Sequence, residues 1–171
     1  MRALSLFIVG VVAVAMMALP VVTTAPAVDA AMANSVIASF LNRMGVSWKN
    51  TKDPNEFLVT KNKGLKNADV VEVYIYNDAK NDEIRLRAYV IVNDKYLSLS
   101  RSSNPNGLMK AMLQKNERAF GAYFLDEEGD IGFKYVFTTE AGVGFAPFQV
   151  VVNELLRISD EAVVPLYNQY R

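Results

Sequence analysis

The sequence predicts an α+β fold, a twisted antiparallel sheet made of a meander and a hairpin with helices on one face. Three observations predict it. Apolar and polar residues alternate over 70–76, 84–92 and 96–100 with short polar breaks between, the pattern of a meander with one face wet. Two more alternating runs meet at Asp126-Glu127-Glu128-Gly129-Asp130, the pattern of a hairpin. Apolar residues recur at helical spacing over 34–44, 108–113 and 145–170. The expected element order is α-β-β-β-(β)-α-β-β-α.

Composition narrows the chemistry. The 171 residues carry 18 Lys plus Arg and 18 Asp plus Glu, a net formal charge of zero. Nucleic acid as the main partner needs a basic surface to neutralise phosphates, so that class is disfavoured. The sequence has no cysteine and no histidine. Disulfides, thiolate metal sites and thiol nucleophiles are excluded, and so are the commonest general base and the commonest transition-metal ligand.

The N-terminus reads as an address. Met1-Arg2 is a basic start, 3–19 is an apolar run ending at Pro20, and small residues follow at Val28-Asp29-Ala30 and Ala31-Met32-Ala33. Charged start, apolar middle and small residues at −3 and −1 make a signal peptide over 1–33, with a single domain over 34–171. The mature chain is expected to begin at Ala31 or Asn34 and to be periplasmic or secreted, with no stable membrane insertion after cleavage. Retention of the run as a single-span anchor is the alternative, since seventeen apolar residues reach the bottom of the spanning range.

A first helix is expected over 34–44, capped by Asn34 or Ser35 and ended by Gly45. A turn-rich connector over 48–55 precedes a short strand over 57–60, and 61–67 is a polar, lysine-bearing loop. In the meander, pairing Tyr76 with Glu83 puts Val71, Val73, Ile75, Ile84, Leu86, Ala88 and Val90 on one face. A two-residue turn at Asn93-Asp94 adds Leu97 and Leu99 to it. The other face carries Glu72, Tyr74, Tyr76, Arg85, Arg87, Tyr89, Tyr96, Ser98 and Ser100. In that register Glu72 faces Arg87 and Tyr74 faces Arg85, an ion pair and a cation–π pair. This face reads either as the wet side of a half-buried sheet or as a recognition surface, because Tyr and Arg are enriched at interfaces.

Asn104 and Pro105 open a second helix, as cap and first helical residue, with Leu108, Ala111, Met112 and Leu113 as its buried stripe. In the hairpin, Gly129 takes the left-handed position after a type I turn. Leu125 then faces Ile131, Tyr123 faces Phe133 and Gly121 faces Tyr135, while on the other side Phe124 faces Gly132 and Ala122 faces Lys134. A long C-terminal helix over 145–170 buries Phe148, Val151, Val152, Leu155, Ile158, Ala162 and Leu166, with a kink or break expected at Pro165.

Catalytic constellations are weak. Without histidine, serine chemistry needs a Ser–Lys pair that nothing places, and no carboxylate pair is framed by pocket-like aromatic spacing. Asp126, Glu128 and Asp130 offer oxygen ligands for a hard cation, since Asp126 and Asp130 face each other across the turn, but the twelve-residue calcium-loop pattern is missing and a simple acidic turn is the expected reading. No cofactor is expected.

Within 107–167, several residues occur in a characteristic order: Asn116, Gly121, Leu125-Asp126-Glu127-Glu128-Gly129-Asp130, Gly142-Val143-Gly144 and the segment 155–162. Together with the order of elements, this set resembles the YbjN-like family, often labelled bacterial sensory transduction regulators. The resemblance implies a type III secretion chaperone-like fold and, since the family has no established catalytic motif, no active-site residues. The expectation is therefore a non-enzymatic, exported protein-interaction domain with a chaperone-like or regulatory role. Its partner is a protein or a second copy of the chain, met on the face holding Glu72, Tyr74, Tyr76, Arg85, Arg87, Tyr89 and Tyr96. Arg87 and Tyr89 lie near the centre of that face, with Glu72 fixing the Arg87 fork. The alternative is a small-molecule or lipid-binding envelope protein, or a carboxylate-based hydrolase.

Overall fold

The computed structural model describes residues 30–171 apart from 118, 140 and 141. The expected signal peptide lies, up to residue 29, outside the described residues. Among the described residues no helix is long and apolar enough to cross a membrane. The elements are α1 (Ala30–Met44), β1 (Trp48–Asn50), β2 (Glu56–Lys61), β3 (Val70–Asp78), β4 (Glu83–Val92) and β5 (Lys95–Tyr96). A 3-10 turn (Leu99–Arg101) leads to α2 (Pro105–Asn116), β6 (Ala122–Leu125), β7 (Ile131–Thr138) and α3 (Phe145–Ile158). A π-helical turn (Ser159–Val163) joins α3 to α4 (Val164–Asn168). The strands form one antiparallel sheet in the order β1-β2-β3-β4-β7-β6, with β5 also paired to β4.

Alternation decides which face is buried. Val71, Val73, Ile75, Leu86, Ala88 and Val90 are fully buried and pack with Ile37 and Leu41 of α1 and Phe148, Val152 and Leu155 of α3. Phe40 of α1 joins the two helices through edge contacts with Phe145 and Phe148, at centroid distances of 5.5 and 5.4 Å.

The β3–β4 register differs from the expected one by two residues: Tyr76 pairs with Arg85, and Asp78 with Glu83. A shift of two is a whole strand period, so every side chain keeps its face. The strand runs on because its last residues are held. The Asn77 amide donates to Asn34 Oδ1 (2.8 Å), and Asp78 accepts from the Asn81 amide (2.8 Å) and pairs with Arg85 (2.6 Å). The turn at Asn93 and Asp94 is the expected two-residue one, with φ of 52° and 60° at the two positions, as a type I′ turn requires. Leu97 N–H still donates to the Val90 carbonyl (3.1 Å), and beyond it the chain leaves β4, because β7 takes up that edge from Glu83 to Tyr89. Ser98 bridges to Asp130 instead, and Leu99 N–H donates to the Gly129 carbonyl.

The hairpin has the expected register, from Leu125 opposite Ile131 to Ala122 opposite Lys134. Gly129 adopts φ +80°, and Asp126 Oδ1 closes the turn by accepting the N–H groups of Glu128 and Asp130. β6 is an edge strand, and its exposed backbone is blocked. The Asn116 side chain accepts from Tyr123 N–H (2.7 Å) and donates to Tyr123 C=O (3.2 Å), standing in for a neighbouring strand.

Three expectations are corrected. Residues 48–50 are not connector but the edge strand β1, with Trp48 opposite Val59 and its ring against Phe57 at 5.6 Å. Asn34 and Ser35 lie inside α1, which starts at Ala30; the Asn34 side chain reaches Asn55 and Asn77 rather than capping the helix. Gly45 does end α1, at φ +66°. Leu113 is 69% exposed, because α2 touches the body only through Leu108, Met112 and their neighbours. The C-terminal helix is interrupted beside Pro165, as expected. Pro165 has no N–H to give and its ring crowds the carbonyl four residues back, and the helix widens into the π turn just before it.

That turn buries Asp160, which is 3% exposed. Its carboxylate accepts the N–H groups of Lys66, Asn67 and Ala68 at 2.7, 2.7 and 2.8 Å, pinning the polar loop before β3 to the end of α3.

Candidate functional site

Helices cover one face of the sheet and the other is open. Strand pairing lays three rows across it. The first is Glu56, Tyr76, Arg85 and Val136; the second is Leu58, Tyr74, Arg87, Lys134 and Ala122; the third is Thr60, Glu72, Tyr89, Gly132 and Phe124. The hairpin tip, with Asp126 and Glu128, closes one side of a cleft of about 760 Å³ lined by Arg85, Arg87, Tyr89, Phe124 and Lys134. Two smaller clefts of about 230 Å³ adjoin it, and Arg87 lines all three.

Tyr89 is the hub of an aromatic cluster. Its ring meets Tyr74 at 5.8 Å, Tyr96 at 5.9 Å and Phe124 at 5.4 Å, all near-perpendicular contacts of the favourable edge-to-face kind. The Phe124 contact exists because Gly132 lies between them. A Cβ there would stand 2.5 Å from Phe124 Cε1, so only a bare backbone lets the ring cross β7 to reach Tyr89. Lys134 Nζ lies over the Phe124 ring, 5.9 Å from its centroid.

The polar groups divide into tied and untied. Glu72 accepts hydrogen bonds from the hydroxyls of Tyr74 (3.1 Å) and Tyr96 (2.5 Å). Arg85 is held by Asp78 at 2.6 Å and Glu83 at 2.9 Å. Arg87 is exposed and makes no ion pair among the described residues. Burial, and then the Asp126 carboxylate, pushes the Tyr89 phenol up to about 12. Burial and the hydrogen bond to Glu72 raise Tyr96 further, and burial raises Tyr74. All three are neutral at physiological pH and present hydroxyls as well as ring edges.

The seven residues singled out from sequence, Glu72, Tyr74, Tyr76, Arg85, Arg87, Tyr89 and Tyr96, all lie on this open face. The expected Glu72–Arg87 ion pair does not form. In the observed register Glu72 faces Tyr89 and Arg87 faces Tyr74, so Glu72 fixes two phenols, while the guanidinium makes no ion pair and acts on the Tyr89 phenol instead. Tyr74 likewise does not face Arg85. Ser98 turns inward, 6% exposed, and donates to the Gly129 carbonyl. Sequence reasoning missed Phe124, Lys134 and Val136. The hairpin register had put Phe124 and Lys134 on one side, but nothing local says that β7 joins β4 and brings that side onto the tyrosine face.

Carboxylate oxygens of Asp126, Glu128 and Asp130 lie within 4.8 Å of one another, as the turn geometry implied. Asp126 is already engaged in closing the turn through two backbone N–H groups, so the cluster is accounted for as hairpin structure. With no histidine or cysteine in the chain, the face offers recognition chemistry: a guanidinium, an ammonium, phenol hydroxyls and rigid rings.

No protein-family model and no curated protein matches the chain. Among solved structures, a chain from the crystal structure of the ExsC–ExsE complex matches with a TM-score of 0.56 at 15% identity, over 77% of this chain and 90% of that one. At that identity the likeness is one of fold. The architecture is the α+β, type III secretion chaperone-like one expected from the sequence, an antiparallel sheet with its helices on one side.

Proposed function

We propose that this chain is an exported, non-catalytic interaction domain of the YbjN-like kind that takes a protein on the open face of its sheet. The observation that carries the reading is that face itself: an aromatic cluster on rigid strands, with a guanidinium in the middle that makes no ion pair and no helix over it among the described residues. Aromatic side chains on a rigid sheet lose little entropy on contact, and Tyr and Arg dominate interface hot spots. The similar solved chain comes from a complex of two proteins, which favours a protein occupant for this fold. Export rests on the basic start, apolar run and small-residue sites of the N-terminus.

The test uses substitutions chosen from the observed contacts. Arg87→Ala with Tyr89→Ala should abolish association, but Tyr89 touches three rings, so that pair also weakens the fold. Arg87→Glu alters an exposed group that makes no ion pair and keeps every ring of the cluster. It should weaken association with a protein partner, or with a second copy, by about tenfold or more, a loss of about 1.4 kcal/mol. Tyr89→Phe, which keeps the ring, should bind with a smaller loss. Unchanged association of Arg87→Glu, or a co-purifying small molecule in place of a protein, overturns the reading.

A further inference from the structure

A different cleft carries an independent inference. It has a volume of about 310 Å³ and lies between the β4–β5 turn, the 3-10 turn and the end of the chain. Lys95, Arg101 and Arg171 line it together with the amides of Asn93 and Asn168, over a floor that includes Leu97 and Tyr167. No Asp or Glu side chain lines it. The clefts of the open face and the cleft beside α2 all include carboxylates, so this concentration of one sign is unusual in a chain of zero net charge.

The three cations come from three separate segments and are brought together by fixed backbone. The left-handed residues Asn93 and Asp94 turn Lys95 back along β4. Arg101 ends the 3-10 turn, its N–H donating to the Ser98 carbonyl. The Tyr170 carbonyl accepts from Ser103 N–H at 2.8 Å and from the hydroxyls of Ser102 (2.7 Å) and Ser103 (3.0 Å), which ties the end of the chain beside Arg101. Three other cations find carboxylates, Lys66 with Glu161, Arg85 with Asp78 and Glu83, and Arg157 with Glu154 and Glu161. Lys95, Arg101 and Arg171 make no ion pair among the described residues, with the α-carboxylate of Arg171 or with any side chain.

We propose that this cleft binds a phosphate group. Three cations lining one cleft, with no acidic side chain among its lining residues, favour an anion there, and guanidinium forks match phosphate oxygens in pairs. A phosphate ester brings up to about two negative charges and three acceptor oxygens, against one charge and two oxygens for a carboxylate. The asparagine amides add neutral donors on the rim, and the apolar floor suits the carbon skeleton of an ester. A free phosphorylated metabolite and a phospholipid headgroup share this chemistry.

Isothermal titration of the full chain, in an uncharged detergent, with inorganic phosphate, glycerol 3-phosphate and water-soluble dihexanoylphosphatidylglycerol tests the site. Saturable one-to-one binding of at least one probe is expected, weakened about tenfold or more in Arg101→Gln/Arg171→Gln and by added salt. Lys95→Gln should weaken it in the same direction if the double variant fails to fold. A tenfold preference for the lipid analogue assigns a headgroup; equal or better binding of the soluble phosphates assigns a metabolite. Absence of saturable binding up to about 10 mM of every probe, or equal binding by wild type and variants, overturns the proposal.

Discussion

Gly132→Ala tests the link between the hairpin and the aromatic cluster. The added Cβ would lie 2.5 and 2.7 Å from Cε1 and Cζ of Phe124 and 2.7 Å from the Ala88 carbonyl oxygen. The Phe124 ring can swing outward, since it is only half-buried. The Ala88 oxygen cannot, because it belongs to β4, held between β3 and β7. Overpacking of this kind costs about 1–3 kcal/mol. Displacing the ring also forfeits the Phe124–Tyr89 contact, worth about 0.5–1.5 kcal/mol. Together these predict a loss of about 2–4 kcal/mol, read as a drop of about 1–2 M in the urea midpoint at unchanged slope. Phe124→Ala in the Gly132→Ala background removes the ring clash but not the carbonyl clash. It should therefore be milder than Phe124→Ala alone, with a coupling of about 1 kcal/mol or more. A Gly132→Ala protein within about 0.5 kcal/mol of wild type, or additive effects in the cycle, would refute the reasoning.

Two further predictions follow from the buried carboxylate and the phenols. Asp160→Asn leaves one acceptor oxygen for three N–H donors and turns an amide N–H₂ towards them, so chemical denaturation should show a loss of about 2–4 kcal/mol. Glu161→Gln, which breaks only exposed pairs with Lys66 and Arg157, should stay within about 0.5 kcal/mol. The raised phenol of Tyr89, at about 12 in the folded chain against about 10 unfolded, contributes stability that is present in full below pH 10 and lost as pH rises through 12. Thermal melts should accordingly fall steeply across that window, and less steeply in Tyr89→Phe; identical alkaline profiles would contradict the assignment.

Legibility in the sequence followed the range of the forces involved. The hairpin register was readable because turn chemistry and facing residues are local: Asp126 and Gly129 set the turn, and Gly132 and Phe124 face each other across the hairpin. The asparagine cap of α2 and the two-residue turn at Asn93-Asp94 were readable for the same reason. Face assignment in the meander survived a two-residue error in register because parity alone decides burial. What failed was non-local. The extension of β3 depends on Asn34, reached across the sheet from α1. The role of Asp160 depends on N–H groups more than ninety residues earlier in the chain. The placement of β7 against β4, which brings Phe124, Lys134 and Val136 to the tyrosines, leaves no local mark, and neither does the choice of Glu72 between Arg87 and two phenols.

The most direct measurement is photo-crosslinking from two matched valines. Val136 lies on the open face and is 43% exposed; Val150 lies on the outer side of α3 and is 54% exposed. A benzophenone amino acid at each position differs in face and little else. Irradiation of the protein in its native surroundings should give one discrete protein adduct from position 136, lost when Arg87→Glu is added, and none from position 150. Adducts from position 150 alone, or equal adducts from both that ignore Arg87→Glu, would contradict the claim that the open face is where this domain meets its partner.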